Sequence, residues 1–507
     1  MERIRKMIKN VLEYLEHAAH QYPNKIAIID DDREISFQEL GREAKRIASR
    51  ILQTCGNIKN EPFAVYMEKS IDCIVCFLGI LYSGNFYCPI DVNSPSERIE
   101  KIIGVLQPKG VLCKEDTVFE TQIPTITVDM DANSKVEDIR IPRDTLDVDP
   151  VYVLFTSGST GLPKGVVISH RGVIDYTEWL ANTFEFDENT IFGNQAPFYF
   201  DNSILDIYST LKNASTMVII PENKFVFPNL LLDYIDKKKI NTIFWVPSAL
   251  IAVANSGVLE GKKLTSLKRV LFCGEVMPNK QLNIWRRCNP QCIYANLYGP
   301  TEITDVCSYY IVEREFKDDE PLPIGRACEN TGIMVLNDNN ALVDTEEIGE
   351  LCVRGCCLAM GYYGDWGKTS QAFVQNPLND KYREFIYRTG DLVKYNSVGE
   401  IIYIGRKDFQ IKHQGHRIEL GEIESAVLSM GKIRQCCTIY DEVNKKIILI
   451  YTTKEAILEK EIYAYLKQKL PRYMLPSKML PIDEIPLNAN GKMDRIKLKQ
   501  IFETIGK

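Results

Sequence analysis

The sequence has few histidines and tryptophans, and it lacks the long apolar runs of membrane proteins. Only five of its 507 residues are histidine and four are tryptophan, and no apolar run is long enough to cross a membrane. The first 23 residues, MERIRKMIKNVLEYLEHAAHQYP, mix charged and apolar residues at helical spacing and lack the continuous apolar core of a signal peptide. We therefore expect a cytoplasmic protein without membrane insertion.

A large excess of charge of one sign is absent as well. The net charge is −7, with 45% hydrophobic and 25% charged residues, which is ordinary for a globular protein. A mildly acidic chain has no general attraction for nucleic acid or for anionic membranes. We therefore predict that the chain has no nucleic-acid partner.

The cysteines do not form a recognisable metal or disulfide pattern. Fifteen are scattered along the chain, and the one CxxC, Cys73 with Cys76, lies in an apolar run typical of a core helix. With few histidines and no second CxxC, the pattern argues against a zinc site. Buried free thiols in a reducing compartment are the expected state.

Internal repeats and low-complexity tracts are also absent, and about the first 400 residues alternate strand-like with helix-like segments. The strand-like residues 25–31, for example, precede a helical pattern that opens with Ser36 as N-cap. Past Glu350 short strands and turns follow, then a helix from Glu422 and another from Lys454. We predict an α/β fold: a large N-terminal domain of layered mixed sheets with helices (1–407), and a small α+β C-terminal domain (408–507) joined by a hinge.

The most distinctive stretch is the glycine- and serine-rich SGSTGLPKG, residues 157–165. It follows a buried-strand pattern and precedes a helix for which Ser169 is the predicted N-cap. In a strand–loop–helix, backbone N–H groups can converge on an anion. Lys164 follows Gly161 by three residues, which is not the spacing of a Walker loop. We interpret the stretch as a phosphate-binding loop, with a flexible surface loop as the alternative.

Residues 296–302, NLYGPTE, combine groups that suit a nucleotide site. Tyr298 can stack on a purine, Thr301 can bind a phosphate or carboxylate, and Glu302 can hold Mg²⁺. In YRTGDLV, residues 387–393, Asp391 follows a glycine turn and can accept hydrogen bonds from ribose hydroxyls. Each motif alone is weak.

Near the end of the chain, the Asn-Gly turn of NANGKMDR projects Lys492. By itself this lysine predicts only a surface residue. Residues 405–424, GRKDFQIKHQGHRIELGEIE, are a longer charged, turn-rich segment that alone would be interpreted as solvated.

Together these five motifs resemble, in order and in spacing, those of the adenylate-forming enzymes. That family contains acyl-CoA synthetases, luciferases and the adenylation domains of nonribosomal peptide synthetases. The resemblance implies a nucleotide site formed by the phosphate loop, three further motifs and the pair Gly274 and Glu275. Its residues are Thr156, Ser157, Gly158, Ser159, Thr160, Gly161, Lys164, Gly274, Glu275, Asn296, Tyr298, Gly299, Thr301, Asp391 and Arg406. It also implies Glu302 as the metal ligand, Asp408 as the hinge, Gly415 on the path of a thiol and Lys492 as the catalytic lysine.

The implied reaction has two halves. A carboxylate attacks the α-phosphorus of ATP, with Mg²⁺ and a lysine neutralising the two anionic reactants. The acyl adenylate is then attacked by a thiol. The family rotates its small C-terminal domain between these halves, which withdraws the lysine.

Asp201 bears on which acid is activated. In amino-acid-activating members of the family, the matching residue binds the α-ammonium, whereas a fatty or aryl acid has no use for an anion there. The alternative role of Asp201 is to cap the apolar helix that follows. The pocket positions matched by the resemblance are Asp201, Asn202, Leu205, Ser248, Leu271, Cys273, Leu297, Asp305, Val306 and Lys492.

A narrower resemblance is to free-standing ligases that load D-alanine onto a carrier protein. Cys273 matches a cysteine of those ligases, but they have an apolar residue in place of Asp305. A buried carboxylate needs a partner, so Asp305 binds either a substrate hydroxyl or amine, or else Ser248 or Asn202. Because Leu205, Leu271 and Leu297 are bulky, we expect a small or polar amino acid: alanine, serine, or a short β- or diamino acid.

The sequence ends twelve residues after Arg495, which leaves no room for a carrier domain. We therefore expect the thiol to be the phosphopantetheine arm of a separate carrier protein. An acyl- or aryl-CoA ligase and a non-catalytic nucleotide-binding relative are the alternatives. The first would release a CoA thioester, and the presence of Lys164, Glu302, Asp391 and Lys492 argues against the second.

Overall fold

The structure is a computed structural model that describes residues 7–115, 122–128, 139–158, 162–318, 320–407, 410–453, 457–486 and 495–505. The described strands are β1 (Ile26–Asp30), β2 (Arg33–Ser36), β3 (Pro62–Tyr66), β4 (Phe86–Ile90), β5 (Gly110–Cys113), β6 (Thr125–Thr127), β7 (Pro150–Thr156), β8 (Lys164–Ser169), β9 (Ile191–Asn194), β10 (Thr216–Ile219), β11 (Thr242–Trp245), β12 (Arg269–Phe272), β13 (Ile293–Tyr298), β14 (Ser308–Ile311), β15 (Arg326–Ala327), β16 (Thr331–Leu336), β17 (Gly349–Gly355), β18 (Gly361–Tyr362), β19 (Phe373–Gln375), β20 (Phe385–Tyr395), β21 (Ile401–Arg406), β22 (Gln410–His413), β23 (His416–Glu419), β24 (Ile433–Asp441), β25 (Lys446–Thr453) and β26 (Lys478–Pro481). The described helices are α1 (Leu12–Gln21), α2 (Phe37–Cys55), α3 (Ile71–Tyr82), α4 (Ser96–Leu106), α5 (His170–Phe184), α6 (Asn202–Asn213), α7 (Glu222–Val226), α8 (Pro228–Lys237), α9 (Pro247–Asn255), α10 (Asn279–Cys288), α11 (Trp366–Ala372), α12 (Leu420–Leu428), α13 (Glu459–Lys469) and α14 (Arg495–Ile505).

Two helix starts predicted from the sequence are confirmed by their caps. Ser36 accepts a hydrogen bond from the Glu39 backbone N–H, and the Glu39 side chain accepts from Ser36 in return, which completes a capping box. Ser169 accepts from the Gly172 N–H at 3.3 Å and begins α5. These local interactions satisfy N–H groups that have no partner inside the helix.

The first compact unit comprises Met1–Val92, Leu106–Leu154 and Gly165–Lys407. One sheet has the order β15-β14-β13-β12-β11-β9-β10-β1-β2, and its six inner strands from β13 to β1 are parallel to one another. A second has the order β18-β8-β7-β4-β3-β5-β6, and a third is the antiparallel β16-β17-β20-β19 with β21 paired to β20. The mixture of parallel and antiparallel strands confirms the predicted α/β class.

The nine-stranded sheet separates two hydrophobic clusters. Along β12, Val270 and Phe272 belong to one cluster, and Leu271 with the following Cys273 belongs to the other. This alternation arises because successive side chains of a strand point to opposite faces of its sheet. Helix α3, which carries the CxxC, is buried along its whole length, and both thiols are free.

Parallel strands β9, β11, β12 and β13 are neighbours and end at one edge of this sheet. The segments that leave their carboxyl ends lead to Asp201, Ser248, Cys273 and Gly299. In open α/β sheets, ligands bind at this edge, where the loops leave the strands. The topology therefore gathers at one edge four predicted site residues that lie far apart in the sequence.

The second compact unit comprises Asn93–Val105, Phe155–Lys164 and Asp408–Lys507. Its C-terminal segment contains the hairpin β22-β23, the sheet β24-β25-β26 and helices α12, α13 and α14. Helix α12 begins at Leu420, two residues before the predicted Glu422. The predicted start of α13 at Lys454 is wrong, because Ile457 and Leu458 are not helical and the helix begins at Glu459.

Candidate active site

Asp201 stands at the start of α6 with its carboxylate held by a threonine. The Thr301 hydroxyl, from the NLYGPTE motif, donates to Asp201 Oδ2 at 2.6 Å, and the Asn202 N–H is 3.1 Å from Oδ1. An ordinary N-cap has extended backbone and bonds the second or third N–H of the helix. Asp201 instead has helical backbone (φ −58°, ψ −33°) and bonds its immediate neighbour. The capping interpretation is therefore weak.

The predicted apolar pocket positions share one hydrophobic cluster and are almost fully buried. Each is at most 2% exposed: Leu205, Leu271, Cys273, Leu297 and Val306. Leu271 lies in β12 and Cys273 directly follows it, while Leu297 comes from β13 and Leu205 from α6. The fold thus brings together residues that lie about 100 positions apart in sequence.

Asp305 lies in the same interior and is 1% exposed. The Tyr176 hydroxyl, from α5, donates to Asp305 Oδ2 at 2.6 Å. The sequence offered Ser248 or Asn202 as its protein partner, and both are wrong. The Ser248 N–H donates to Glu275 at 2.9 Å, and Asn202 Nδ2 has no hydrogen-bond partner among the described residues.

Burial and the neighbouring Asp201 carboxylate raise the pKa of Asp305 well above its usual range. The Tyr176 hydrogen bond acts in the opposite direction, because it stabilises the ionised form. Sequence reasoning missed Tyr176, which lies seven residues after Ser169 on a helix with no recognisable motif.

Three residues predicted to bind the nucleotide also meet in the first compact unit. The Tyr298 hydroxyl donates to Asp391, and Arg406 Nη1 lies 2.9 Å from the other carboxylate oxygen. Arg406 Nη1 also donates to the Thr389 carbonyl at 2.8 Å, and Asp391 is 1% exposed. A carboxylate fixed by two donors is well suited to accept hydrogen bonds from a diol.

Glu302, the predicted metal ligand, is fully buried and accepts from the Tyr362 hydroxyl at 2.8 Å. In the part of the chain that the structure describes, no three His, Cys, Asp or Glu side chains are grouped to hold a metal ion. Mg²⁺ commonly takes one or two protein carboxylates and completes its shell with phosphates and water. A single carboxylate therefore fits an ion that arrives with a nucleotide.

Two predicted glycines are required by the backbone. Gly274 has φ +98°, in the left-handed region that favours glycine. A Cβ on Gly299 would lie 2.3 Å from the Asp305 carbonyl oxygen and 2.9 Å from the Val306 Cα. Asn296 has a structural contact, since its Nδ2 donates to the Pro323 carbonyl at 2.8 Å.

The described part of the phosphate loop lies in the second unit and binds carboxylates there. The Gly158 N–H donates to Glu422 at 3.3 Å, and Lys164 Nζ lies 3.5 Å from Glu419. Ser157 donates to the Arg417 carbonyl at 2.8 Å. The Gly158 N–H and the Lys164 ammonium thus bind anionic oxygen atoms, which is the chemistry expected of a phosphate loop.

The Thr156 hydroxyl is buried with no hydrogen-bond partner among the described residues. Gly415, predicted on the thiol path, turns between β22 and β23 with φ +80°. Other predicted positions lie outside the described residues, and their roles stay predictions: Ser159, Thr160, Gly161, Asp408 and Lys492.

The sequence analysis also missed two titratable residues, Asp206 and Lys69. Asp206, on α6, is fully buried and accepts from Asn194 Nδ2 at 2.8 Å. Burial raises its pKa to about 7, although Asn194 and Lys69 oppose the shift. Burial likewise lowers the pKa of Lys69 to about 8. Asp206 follows Asp201 by five residues in an apolar helix, which was the one available signal.

Comparison with known proteins decides the family. The sequence profile named AMP-binding enzyme matches residues 15–363, and the AMP-binding enzyme C-terminal domain matches residues 422–492. The chain belongs to the AMP-binding enzyme family. The predicted family and fold class are thereby confirmed.

Relatives of this AMP-binding enzyme include an L-proline--[L-prolyl-carrier protein] ligase of Pseudomonas fluorescens. The two are 31% identical over 518 residues, covering 98% of this chain and 100% of the relative. A mycosubtilin synthase of Bacillus subtilis is 33% identical, covering 98% of this chain. Tyrocidine synthase 1 of Brevibacillus parabrevis is 30% identical, covering 97% of it. The chain spans only 19% and 45% of the lengths of these two synthases.

Solved structures agree on the fold. The Vibrio cholerae adenylation domain AlmE, in complex with glycyl-adenosine-5'-phosphate, has a TM-score of 0.83 at 21% identity and covers 99% of both chains. Holo-PA1221, an NRPS protein containing adenylation and PCP domains, has a TM-score of 0.84 at 25% identity. The alignment covers 97% of this AMP-binding enzyme and 84% of the PA1221 chain. Among the described residues, no helix is long and apolar enough to cross a membrane.

Proposed function

We propose that the chain activates a small or polar amino acid with ATP and then transfers it to the phosphopantetheine thiol of a separate carrier protein. The observation that carries the proposal is the Asp201 carboxylate, which Thr301 fixes beside the apolar cluster of Leu205, Leu271 and Leu297. An anion at this place binds an α-ammonium, whereas a plain fatty or aryl acid carries no positive group to bind it. The relative that loads L-proline onto a carrier protein supports the same class of substrate.

In the first half-reaction, a carboxylate oxygen of the amino acid attacks the α-phosphorus of ATP. A new P–O bond forms, the bond to the β-phosphate breaks, and pyrophosphate leaves. Asp391, fixed by Tyr298 and Arg406, accepts the ribose hydroxyls and so orients the α-phosphate. Mg²⁺ bound with ATP supplies positive charge that offsets the phosphates, and Glu302 is the residue that would hold it.

In the second half-reaction, the thiol sulfur attacks the carbonyl carbon of the adenylate. A thioester forms, AMP leaves with the bonding electron pair, and the thiol proton passes to solvent. Lys492 keeps the catalytic role that the family resemblance implies, in which its ammonium bridges the carboxylate and the α-phosphate of the first step.

The test is an ATP–pyrophosphate exchange screen over D-, L- and β-amino acids, with fatty and aryl acids assayed alongside. We expect exchange with small or polar amino acids and none with phenylalanine or tryptophan. Exchange with phenylalanine or tryptophan alone would contradict the predicted size of the substrate. Exchange with fatty or aryl acids alone, followed by release of a CoA thioester, would instead identify an acyl- or aryl-CoA ligase.

A further inference from the structure

The carboxyl group of Asp305 is buried without a cation. It is 1% exposed, and its one hydrogen bond comes from the neutral Tyr176 hydroxyl. In the part of the chain that the structure describes, no lysine, arginine or histidine pairs with it, and its Oδ1 accepts no hydrogen bond. Buried carboxylates are ordinarily paired, because an isolated charge is costly to remove from water.

The surroundings of Asp305 add negative charge. Asp201 and Asp206 are the two charged neighbours that disfavour its ionised form, alongside burial itself. Of these three carboxyls, Asp206 has Lys69 as a nearby cation. The described residues supply no such cation to Asp305, so a ligand is the group that could supply positive charge there.

Two unpartnered donors point independently to a ligand here. The Tyr152 hydroxyl, from β7, is fully buried and has no hydrogen-bond partner among the described residues. Asp201 and Asp305 are the charged groups that, after burial, most oppose its ionisation, so the hydroxyl faces the same interior. Asn202, at 8% exposed, likewise leaves its Nδ2 without a partner in the described chain. Buried groups are rarely left unsatisfied in a native protein, so polar ligand atoms are expected beside them.

We propose that the activated amino acid carries a second amino group on a short side chain, which binds Asp305 while its α-ammonium binds Asp201. This inference rests on the proposed function and specifies its substrate class as a short diamino acid. Two ammonium groups neutralise both carboxylates with charge-assisted hydrogen bonds, whereas a hydroxyl satisfies a hydrogen bond but leaves the charge. The bulk of Leu205, Leu271 and Leu297 limits the side chain to a few carbon atoms.

The test compares kcat/KM in ATP–pyrophosphate exchange for diaminopropionate, diaminobutyrate, ornithine, serine and alanine. We expect the best diamino acid to exceed serine and alanine at least about tenfold, the ratio given by one charge-assisted hydrogen bond. Asp305→Asn is the sharpest variant, because it removes the charge and keeps the shape. Asp305 has φ +74°, a conformation in which asparagine is as well tolerated as aspartate.

Asp305→Asn should lower the ratio of kcat/KM for the diamino acid to kcat/KM for alanine at least about tenfold. Tyr176→Phe, which keeps the Asp305 charge and removes its hydrogen bond, should lower the diamino preference less. A thermal melt of each variant shows whether it is folded.

The wild-type screen separates failure of this inference from failure of the proposed function. A wild-type preference for serine or alanine, unchanged in Asp305→Asn, would overturn the inference and leave amino acid activation intact. Exchange with no amino acid, but with a fatty or aryl acid, would overturn both. A diamino preference that survives Asp305→Asn would show that another group binds the second amine, which also contradicts the proposal.

Discussion

Replacing Asp201 by asparagine separates the two roles that its position allows. Asparagine caps a helix as well as aspartate does, so a capping role predicts no change in stability or activity. An ammonium-binding role predicts a large loss, because the amide keeps the shape and removes the charge. The 2.6 Å hydrogen bond from Thr301 fixes the carboxylate that would be lost.

The expected magnitude follows from the surroundings of Asp201. Removing one partner of a desolvated ion pair costs about 2–5 kcal/mol, and Asp201 is half-buried, so the lower part of that range applies. About 2–3 kcal/mol corresponds to a loss of roughly 30- to 150-fold in kcat/KM for the amino acid. KM for ATP should change less than about twofold, because no ATP-binding group is altered.

The assay is ATP–pyrophosphate exchange with the best amino acid of the screen, with a thermal melt of the same sample. Thr301→Val is a matched variant that keeps the Asp201 charge and removes its hydrogen-bond donor. It should lower kcat/KM for the amino acid about tenfold. Asp201→Asn with kcat/KM within about twofold of wild type would refute the ammonium-binding role. A loss that follows the melting temperature would instead identify Asp201 as a structural residue.

Three further outcomes follow from the site. Lys492→Ala should lower exchange at least about a hundredfold while ATP binding, measured by calorimetry, falls less than about threefold; persistent exchange would contradict its assigned role. Tyr298→Phe removes a donor to Asp391 and should raise KM for ATP about tenfold, whereas Tyr395→Phe, whose hydroxyl bonds no described residue, should leave KM unchanged. Asp206, with its pKa raised to about 7, favours the folded state most below the ordinary aspartate pKa, and this contribution is lost as pH rises through 7. The free energy of unfolding, measured with urea, should therefore fall by roughly 2–3 kcal/mol between pH 5 and pH 8, and Asp206→Asn should remove this fall. An equal fall in the variant would show that other groups cause the pH dependence.

Local signals carried much of what the sequence predicted correctly. The caps of α2 and α5 depend on neighbouring residues, so the sequence displays them directly. The start of α13 was missed because residues 454–458 have helical composition but no capping residue. Local propensity does not specify where such a helix begins.

The partners within the site were less accessible to sequence reasoning. The motifs indicated that Asp201 and Thr301, 100 residues apart, serve one site, but not that they share a hydrogen bond. Tyr176 and Tyr152 belong to no motif, and only the packing of α5 and β7 brings them towards Asp305. Buried polar contacts of this kind are set by tertiary structure, which a short sequence pattern does not encode.

The close packing of Gly299 matters to anyone who would retarget this protein. Residues 298–307 form a closed loop, because the Cys307 N–H donates to the Tyr298 carbonyl at 2.9 Å and Gly299 leaves no room for a side chain against Asp305. Changing the Asp305 side chain keeps this loop intact. Inserting or deleting a residue, however, would displace Thr301 and Glu302 together with it. In chimeras built from relatives, the smallest segment to exchange safely is therefore the whole loop.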